Sequence, residues 1–205
     1  TGLGVAIGVP TSAGLQALAT EASHADFAPR QDQEWRLRQW LIADLQLERI
    51  SIERVVSGTG LGHVFRFLLA ESAGRDHPLA GTAGAWGQAQ RDGGEAGLDL
   101  PAAVAAAAAA NDDLAGQALD LWLGAYGAAA GDLVLQTLCF GGLWVGGGTA
   151  GKLLDGLRSA TFREAFLAKG RMRHLLERVP VTALVDGNTG LFSAACRARS
   201  LRQGA

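Results

Sequence analysis

The sequence Gly141-Gly142-Leu143-Trp144-Val145-Gly146-Gly147-Gly148-Thr149-Ala150-Gly151-Lys152 holds a short apolar run between two groups of glycines. The apolar run predicts a strand, and the three glycines after it predict a tight turn into a helix. A second apolar run, Val179–Val185, predicts another buried strand with Pro180 near its start. Strands that alternate with helices favour an α/β layered fold.

Apolar periodicity and the positions of glycine and proline predict the other helices and strands. Asn111-Asp112-Asp113 offers N-cap residues for the helix that follows, whose glycines and alanines indicate that another backbone packs closely against it. Thr161 and Glu164 form a capping box for a further helix, which Gly170 would end. We also predict a strand over 3–9 and helices over 34–47, 61–72, 114–138 and 189–199. A turn-rich segment is expected over 11–33, and a loop with short helical pieces over 73–100.

Composition narrows the class of protein. The chain has 205 residues and a net charge of −2, so it lacks the positive charge that nucleic-acid binding requires. Two distant cysteines make no disulfide framework, which favours a reduced, cytoplasmic setting. The segment after Thr1 has no signal-peptide pattern, and no stretch reaches the roughly 20 apolar residues of a membrane span. Because Thr1 opens directly into a glycine-rich apolar run, we expect that the chain is a fragment.

Two glycine-rich segments are candidates for binding a nucleotide. Gly146 through Lys152 matches the GxxxxGK part of a P-loop, but Leu153 stands where a P-loop needs Ser or Thr for Mg²⁺. The same glycines could form a simple tight turn, or hold a nucleotide against backbone N–H groups. Residues 1–4, Thr1-Gly2-Leu3-Gly4, could form either a β-turn or a hairpin that contacts phosphate.

A polar set follows between residues 21 and 26, and Glu53 lies further along the chain. Carboxylates and a neutral imidazole suit a polyhydroxylated ligand, because sugar hydroxyls both donate and accept hydrogen bonds. Glu21, His24 and Asp26 could equally bind a metal ion, and such a set can also be a solvated surface loop. Spacing alone leaves these three interpretations open.

Taken together, these segments resemble the bacterial glucokinase family. The order of the segments along the chain is that of the family, and the second and third are the more specific ones. The segments are Thr1-Gly2-Leu3-Gly4-Val5-Ala6, Glu21-Ala22-Ser23-His24-Ala25-Asp26-Phe27-Ala28-Pro29, Glu53-Arg54-Val55-Val56-Ser57-Gly58-Thr59-Gly60-Leu61, Gly141 through Gly148, and Phe162 through Pro180 with Lys169-Gly170-Arg171-Met172.

The resemblance implies an actin-like, ribonuclease H-like fold, of which this chain would be mostly the larger lobe of a two-lobed sugar kinase. Residues 1–185 would form the sugar- and ATP-binding domain, and residues 186–205 a C-terminal helix that returns to the small lobe. The implied reaction transfers the γ-phosphoryl of ATP, with Mg²⁺, to the 6-hydroxyl of glucose. The implied setting is the cytoplasm, with no nucleic acid or membrane partner and with a homodimer left open.

The resemblance also assigns site residues. Glu21, His24 and Glu53 would bind glucose hydroxyls. The residues implied near ATP are Thr1 and Gly2 at the phosphates and Gly146, Gly147 and Gly148 at the adenosine. No metal ligand is implied within the chain.

Two departures from the family pattern bear on function. Ala22 and Ser23 replace two glycines, which could change the path of the loop. The family's first phosphate motif and its catalytic Asp precede the part that matches Thr1 onward, so no catalytic residue is expected here. We therefore predict that these 205 residues alone are inactive. A non-catalytic sugar-binding or regulatory module of the same fold is the alternative.

Overall fold

The computed structural model describes residues 2–12, 14–72, 76–93, 97 and 99–203. The strands are β1 Val5–Thr11, β2 Gly14–Thr20, β3 Leu143–Val145 and β4 Val181–Ala183. The helices are α1 Asp32–Leu45, α2 Ile52–Val55, α3 Gly58–Glu71, α4 Ala80–Arg91, α5 Leu100–Ala109, α6 Asp113–Thr137, α7 Gly148–Lys152, α8 Leu154–Arg158, α9 Ala160–Leu167, α10 Arg173–Leu176 and α11 Thr189–Gln203. The α/β class is confirmed, and the helices predicted from periodicity lie within a few residues of their expected bounds.

The described strands form two small sheets. β1 and β2 pair as an antiparallel hairpin whose register runs from Val5 opposite Thr20 to Thr11 opposite Gly14. β3 and β4 pair in parallel, and helices α7 to α10 connect them. β4 is shorter than the predicted 179–185 and begins after Pro180, which has no N–H to donate. Bonds to β3 flank it at both ends, from the Leu143 N–H to the Pro180 carbonyl oxygen at 2.9 Å and from the Leu184 N–H to the Val145 carbonyl oxygen at 2.8 Å. The first strand begins at residue 5 and not at residue 3.

Two segments predicted to consist mostly of turns and loops contain longer regular elements. The turn-rich segment 11–33 holds β2, which has few β-branched residues and is stabilised by its pairing with β1. The segment 73–100 holds the 12-residue helix α4, in which Trp86 is the only large apolar residue. Buried Trp86 anchors α4 against α3, where its ring lies 3.0 Å from the position of a Cβ on Gly62. Tertiary packing therefore outweighs weak local preference in both segments.

Helix α6 is the centre of the core and packs against α3, α5 and α9. A Cβ added at Gly127 would lie 2.2 Å from the Phe162 carbonyl oxygen, and one at Gly131 would lie 2.4 Å from that of Phe166. The expected close approach of another backbone is thus confirmed, and it is α9. By length and composition α6 could cross a membrane, contrary to the sequence expectation, but 67% of its apolar window is buried inside the protein.

Helix capping matches the prediction at one end and not at another. The Asp112 side chain accepts a hydrogen bond from the Ala115 N–H at 2.8 Å and caps α6, as expected. The capping box predicted at Thr161 is wrong, because Ser159 caps α9 by accepting from the Phe162 N–H. Helix α9 ends at Leu167, and Gly170 opens a separate 3-10 turn.

Helix α11 leaves apolar side chains exposed. Leu191 is 75% exposed and Phe192 is 70% exposed. The two residues are adjacent near the start of the helix. The described chain therefore does not bury this part of α11.

Candidate functional site

Loop 21–29 follows directly from the end of β2. A 3-10 turn over Ala22–His24 places Glu21 and His24 side by side, with 3.7 Å between Glu21 Oε2 and His24 Nε2. Their side chains are 87% and 54% exposed, whereas Ser23 between them is buried. The loop is therefore anchored by Ser23 and presents a carboxylate and an imidazole to solvent.

Backbone hydrogen bonds join loop 21–29 to residues 50–52. The Phe27 N–H donates to the Ile50 carbonyl oxygen at 2.8 Å, and the Ile52 N–H donates to the Ala25 carbonyl oxygen at 2.8 Å. Ile50 is fully buried. These bonds hold the start of α2, and with it Glu53, beside the loop.

Glu53 contacts the first described residues of the chain. Its Oε2 accepts a hydrogen bond from the Leu3 N–H at 3.1 Å. A Cβ on Gly2 would lie 3.0 Å from the same oxygen, so segment 2–4 passes close to this carboxylate. The structure thus brings together two residues that the sequence predicted at different parts of the site, Glu53 and Gly2. Thr1 lies outside the described residues, and among those described Glu53 has no direct hydrogen bond to Glu21 or His24.

Arg49 is a site-supporting residue that the sequence analysis missed. Its Nη1 donates to the His24 carbonyl oxygen at 2.8 Å and to Asp26 Oδ1 at 3.0 Å. Asp26 is therefore paired with Arg49 and does not join Glu21 and His24. In the described part of the chain, no three His, Cys, Asp or Glu residues lie close enough to hold a metal ion. The sequence signal for Arg49 is weak, since it consists only of a charged residue before a buried isoleucine.

A cavity of about 190 Å³ lies between the two glycine-rich segments. One wall is formed by residues 2–6 and another by residues 143–146, with Ser23 and Tyr126 also facing the space. Burial raises the pKa of Tyr126 to about 12, so its hydroxyl is neutral at physiological pH. Gly2 and Gly146, which the sequence treats as separate motifs, thus line one cavity.

A larger cavity of about 520 Å³ lies on the other side of the glycine turn. Gly148 and Lys152 line it, together with Thr59, Trp86 and Trp122. Aromatic and apolar walls with a few polar groups are typical of sites for small organic ligands. The turn 146–148 therefore separates two cavities and has a residue in the lining of each.

The geometry of this turn does not fit a P-loop. In a P-loop the Gly-Lys pair opens the helix that follows the phosphate-binding loop. Here Gly151 and Lys152 are the last two residues of the five-residue helix α7, and Leu153 follows. Gly147 has a φ of +93°, which only glycine adopts readily, so the turn itself requires this residue.

His63 lies away from the site, in the core on α3. It is fully buried, and neither ring nitrogen has a hydrogen-bond partner among the described residues. Its ring packs edge-on against Trp86, with 5.1 Å between centroids. Burial, reinforced by the positive charges of Arg66 and Arg54, lowers the pKa of His63 to about 3. His63 is thus a neutral core residue.

Comparison with known proteins identifies the relatives of the chain. The family profile described as Glucokinase matches residues 1–201. A glucokinase from Synechocystis sp. is 41% identical over 203 residues, which are 98% of this chain and 57% of that protein. A glucokinase from Marinobacter nauticus is 37% identical over 95% of this chain and 54% of its own length. The chain therefore spans little more than half the length of these relatives.

Two solved structures share the fold. Glucokinase from an Antarctic psychrotroph superposes with a TM-score of 0.73 at 28% identity, over 95% of this chain and 54% of that one. Glucokinase from Balamuthia mandrillaris, solved in complex with glucose, gives a TM-score of 0.71 at 20% identity, over 91% of this chain and 48% of that one. The second likeness concerns the fold alone.

Proposed function

The chain belongs to the glucokinase family, and we propose that it supplies the sugar- and nucleotide-binding part of an enzyme that phosphorylates glucose. The reaction would move the γ-phosphoryl of ATP to the 6-hydroxyl of glucose. The observation that carries this proposal is the hydrogen bond from the Leu3 N–H to Glu53. It holds segment 2–4, which is expected to contact the ATP phosphates, beside a carboxylate that is expected to bind glucose.

Glu21, His24 and Glu53 would bind the sugar. The two carboxylates would accept hydrogen bonds from glucose hydroxyls, and the imidazole can donate from one nitrogen and accept at the other. The exposed pair at 3.7 Å and the fixed position of α2 beside the loop support this assignment. Ala22 and Ser23 would not prevent it, because Ser23 is buried while the side chains of Glu21 and His24 are exposed.

The nucleotide would span the glycine turn 146–148. Its phosphates would lie towards Gly2 and the smaller cavity, and its adenosine would lie in the larger cavity beside Gly148 and Trp86. Backbone N–H groups at glycines can approach phosphate oxygens closely. Mg²⁺ in kinases is held largely by substrate phosphates with one or two carboxylates, so the cation would arrive with ATP.

Phosphoryl transfer depends on positioning and on a base that accepts the proton of the sugar hydroxyl. The resemblance assigns that base to an Asp outside these 205 residues. We therefore expect this chain by itself to bind glucose without turnover.

The finer description of the fold is part of the same proposal. Residues 1–185 would belong to the larger lobe of a two-lobed, actin-like kinase, and residues 186–205 would return to the small lobe. The exposed Leu191 and Phe192 on α11 support this division, because apolar side chains on a helix are usually buried against another element.

Calorimetric titration of glucose into the 205-residue chain tests the sugar site. We expect saturable binding that is weakened by Glu21→Gln and by Glu53→Gln, whereas Glu48→Gln, a substitution of an exposed carboxylate outside the site, binds like the parent. Glucose-dependent ADP release from the same chain should stay at the background level. The proposal would be overturned if the parent chain bound no glucose, or if neither Glu21→Gln nor Glu53→Gln changed the affinity for glucose.

A further inference from the structure

We propose that Glu53 is a positioning residue that links loop 21–29 to segment 2–4. A sugar hydroxyl bound at Glu53 would then change the strength of the hydrogen bond that Glu53 accepts from the Leu3 amide. This inference rests on the proposed function, because its ligand is a glucose hydroxyl. It gives a second task to a side chain to which the family resemblance assigns only contact with the sugar.

The carboxylate of Glu53 has room for two partners. Oε2 accepts the Leu3 N–H at 3.1 Å, and no hydrogen bond to Oε1 is found among the described residues. Because an ionised carboxylate can accept about four hydrogen bonds, Glu53 can hold Leu3 and accept a hydroxyl at the same time. A hydroxyl at Oε1 withdraws electron density from the whole carboxylate, which changes the strength of the bond at Oε2.

Loop 21–29 and Glu53 are connected through consecutive backbone hydrogen bonds. Ile52, the residue before Glu53, donates its N–H to Ala25, and Ile50 accepts from Phe27. A sugar that orders the loop therefore also orders the start of α2. The path from the loop to segment 2–4 runs through residues 50–52 and then through the Glu53 side chain.

The space around segment 2–4 provides a matched pair of substitutions. A Cβ at Gly2 would lie 3.0 Å from Glu53 Oε2 and 3.3 Å from Cδ, so in Gly2→Ala the carboxylate has to move by roughly a few tenths of an ångström, away from its position at the Leu3 N–H. A Cβ at Gly4 would have nothing within 4 Å. Both substitutions cost the same backbone freedom, and only Gly2→Ala acts on Glu53.

Amide NMR spectra of the ¹⁵N-labelled 205-residue chain test the link directly. Without sugar, we expect Glu53→Gln and Gly2→Ala each to shift the Leu3 amide resonance upfield, because the bond to a charged acceptor is weakened or lost. On addition of glucose to the parent chain, the Leu3 and Ile52 resonances should move with one common midpoint. In Glu53→Gln the response of Leu3 should disappear.

Calorimetry supplies an independent measurement. Gly2→Ala should weaken glucose binding roughly tenfold, the scale of one charge-assisted hydrogen bond, and Gly4→Ala should change it by less than about twofold. If glucose binds and moves Ile52 while Leu3 stays still, or if Gly2→Ala binds like the parent, the link is wrong and the proposed function stands. If glucose moves neither resonance in the parent chain, the proposed function fails and the link fails with it.

Discussion

The backbone N–H of Leu3 donates to Oε2 of Glu53 at 3.1 Å, across a separation of 50 positions in the sequence. The carboxylate is half-buried on the one-turn helix α2, which is itself held by loop 21–29. Through this bond, the first described residues of the chain reach the candidate site. The contribution of this bond to the free energy of unfolding can be measured by substituting Glu53.

Removing the acceptor should weaken the fold modestly. Glu53→Ala leaves the Leu3 N–H without its partner, and we expect a loss of about 1–2 kcal/mol in the free energy of unfolding. Glu53→Gln should cost less, since the amide oxygen still accepts. Urea unfolding followed by circular dichroism measures both, with Glu48→Ala as the exposed control. Equal losses for the alanine and glutamine variants would contradict a role as hydrogen-bond acceptor.

His63 should make stability depend on pH below about 6.5. Its pKa in the folded protein is about 3, whereas the unfolded value is near 6.5, so the unfolded state binds more protons between these two pH values. Stability therefore falls as the pH drops through this window and is constant above it. At pH 5 the loss should be about 2 kcal/mol relative to pH 7, by the usual free energy per pKa unit.

His63→Leu tests that assignment. The substitution removes the titrating group and fills the same apolar space, so the difference in unfolding free energy between pH 7 and pH 5 should shrink by about 2 kcal/mol. Asp44 also loses stabilising charge in acid, but the pKa of this carboxyl is lowered in the folded protein, and its contribution lies below pH 5.

Close packing of α6 against α9 should make Gly127 intolerant of a side chain. Gly127→Ala would place a methyl group 2.2 Å from the Phe162 carbonyl oxygen, and we expect a loss of about 3 kcal/mol from overpacking. Gly116→Ala on the same helix meets nothing within 4 Å and should instead stabilise by about 0.5–1 kcal/mol. Thermal unfolding distinguishes the two, and a Gly127→Ala protein as stable as the parent would show that the helices can separate without cost.

Asp44 should be a strong determinant of stability, because it joins three helices. It accepts two hydrogen bonds from Arg66, at 2.6 and 2.9 Å, and one from Arg91 at 2.9 Å. Burial acts to raise the pKa of this carboxyl, but the bonds and charges of the two arginines outweigh it and keep the pKa below its ordinary value. Asp44→Ala would leave Arg66, 10% exposed, without its partner, at a cost of about 3 kcal/mol.

The double variant Asp44→Ala with Arg66→Met separates this loss from ordinary packing. Replacing both partners with apolar residues removes the unpaired buried charge, so the double variant should recover part of the stability lost in Asp44→Ala. Chemical denaturation of the parent, the two single variants and the double variant measures the coupling. Strict additivity would mean that the pair does not interact in solution.

Local signals in the sequence were sufficient for much of the fold. The alternation of strands and helices, the N-cap at Asp112 and the small residues of α6 depend on neighbouring positions, and the structure confirms all three. Local signals were misleading where a competitor lay nearby, as at Ser159, which lies two positions before Thr161 and caps α9 in its place. They were absent for β2 and indicated only short helical pieces where α4 forms, and both elements are stabilised by partners, β1 and α3.

Some features of the candidate site could likewise be predicted from the sequence, and others could not. Residue types and spacing in the sequence indicated a polar loop at 21–29 and glycine turns at 1–4 and 146–148, because these motifs consist of consecutive residues. The meeting of Gly2 with Glu53, the support of loop 21–29 by Arg49 and the two cavities around turn 146–148 required the tertiary structure. These contacts join residues tens to more than a hundred positions apart, and their formation depends on how the helices pack and not on any local preference of the chain.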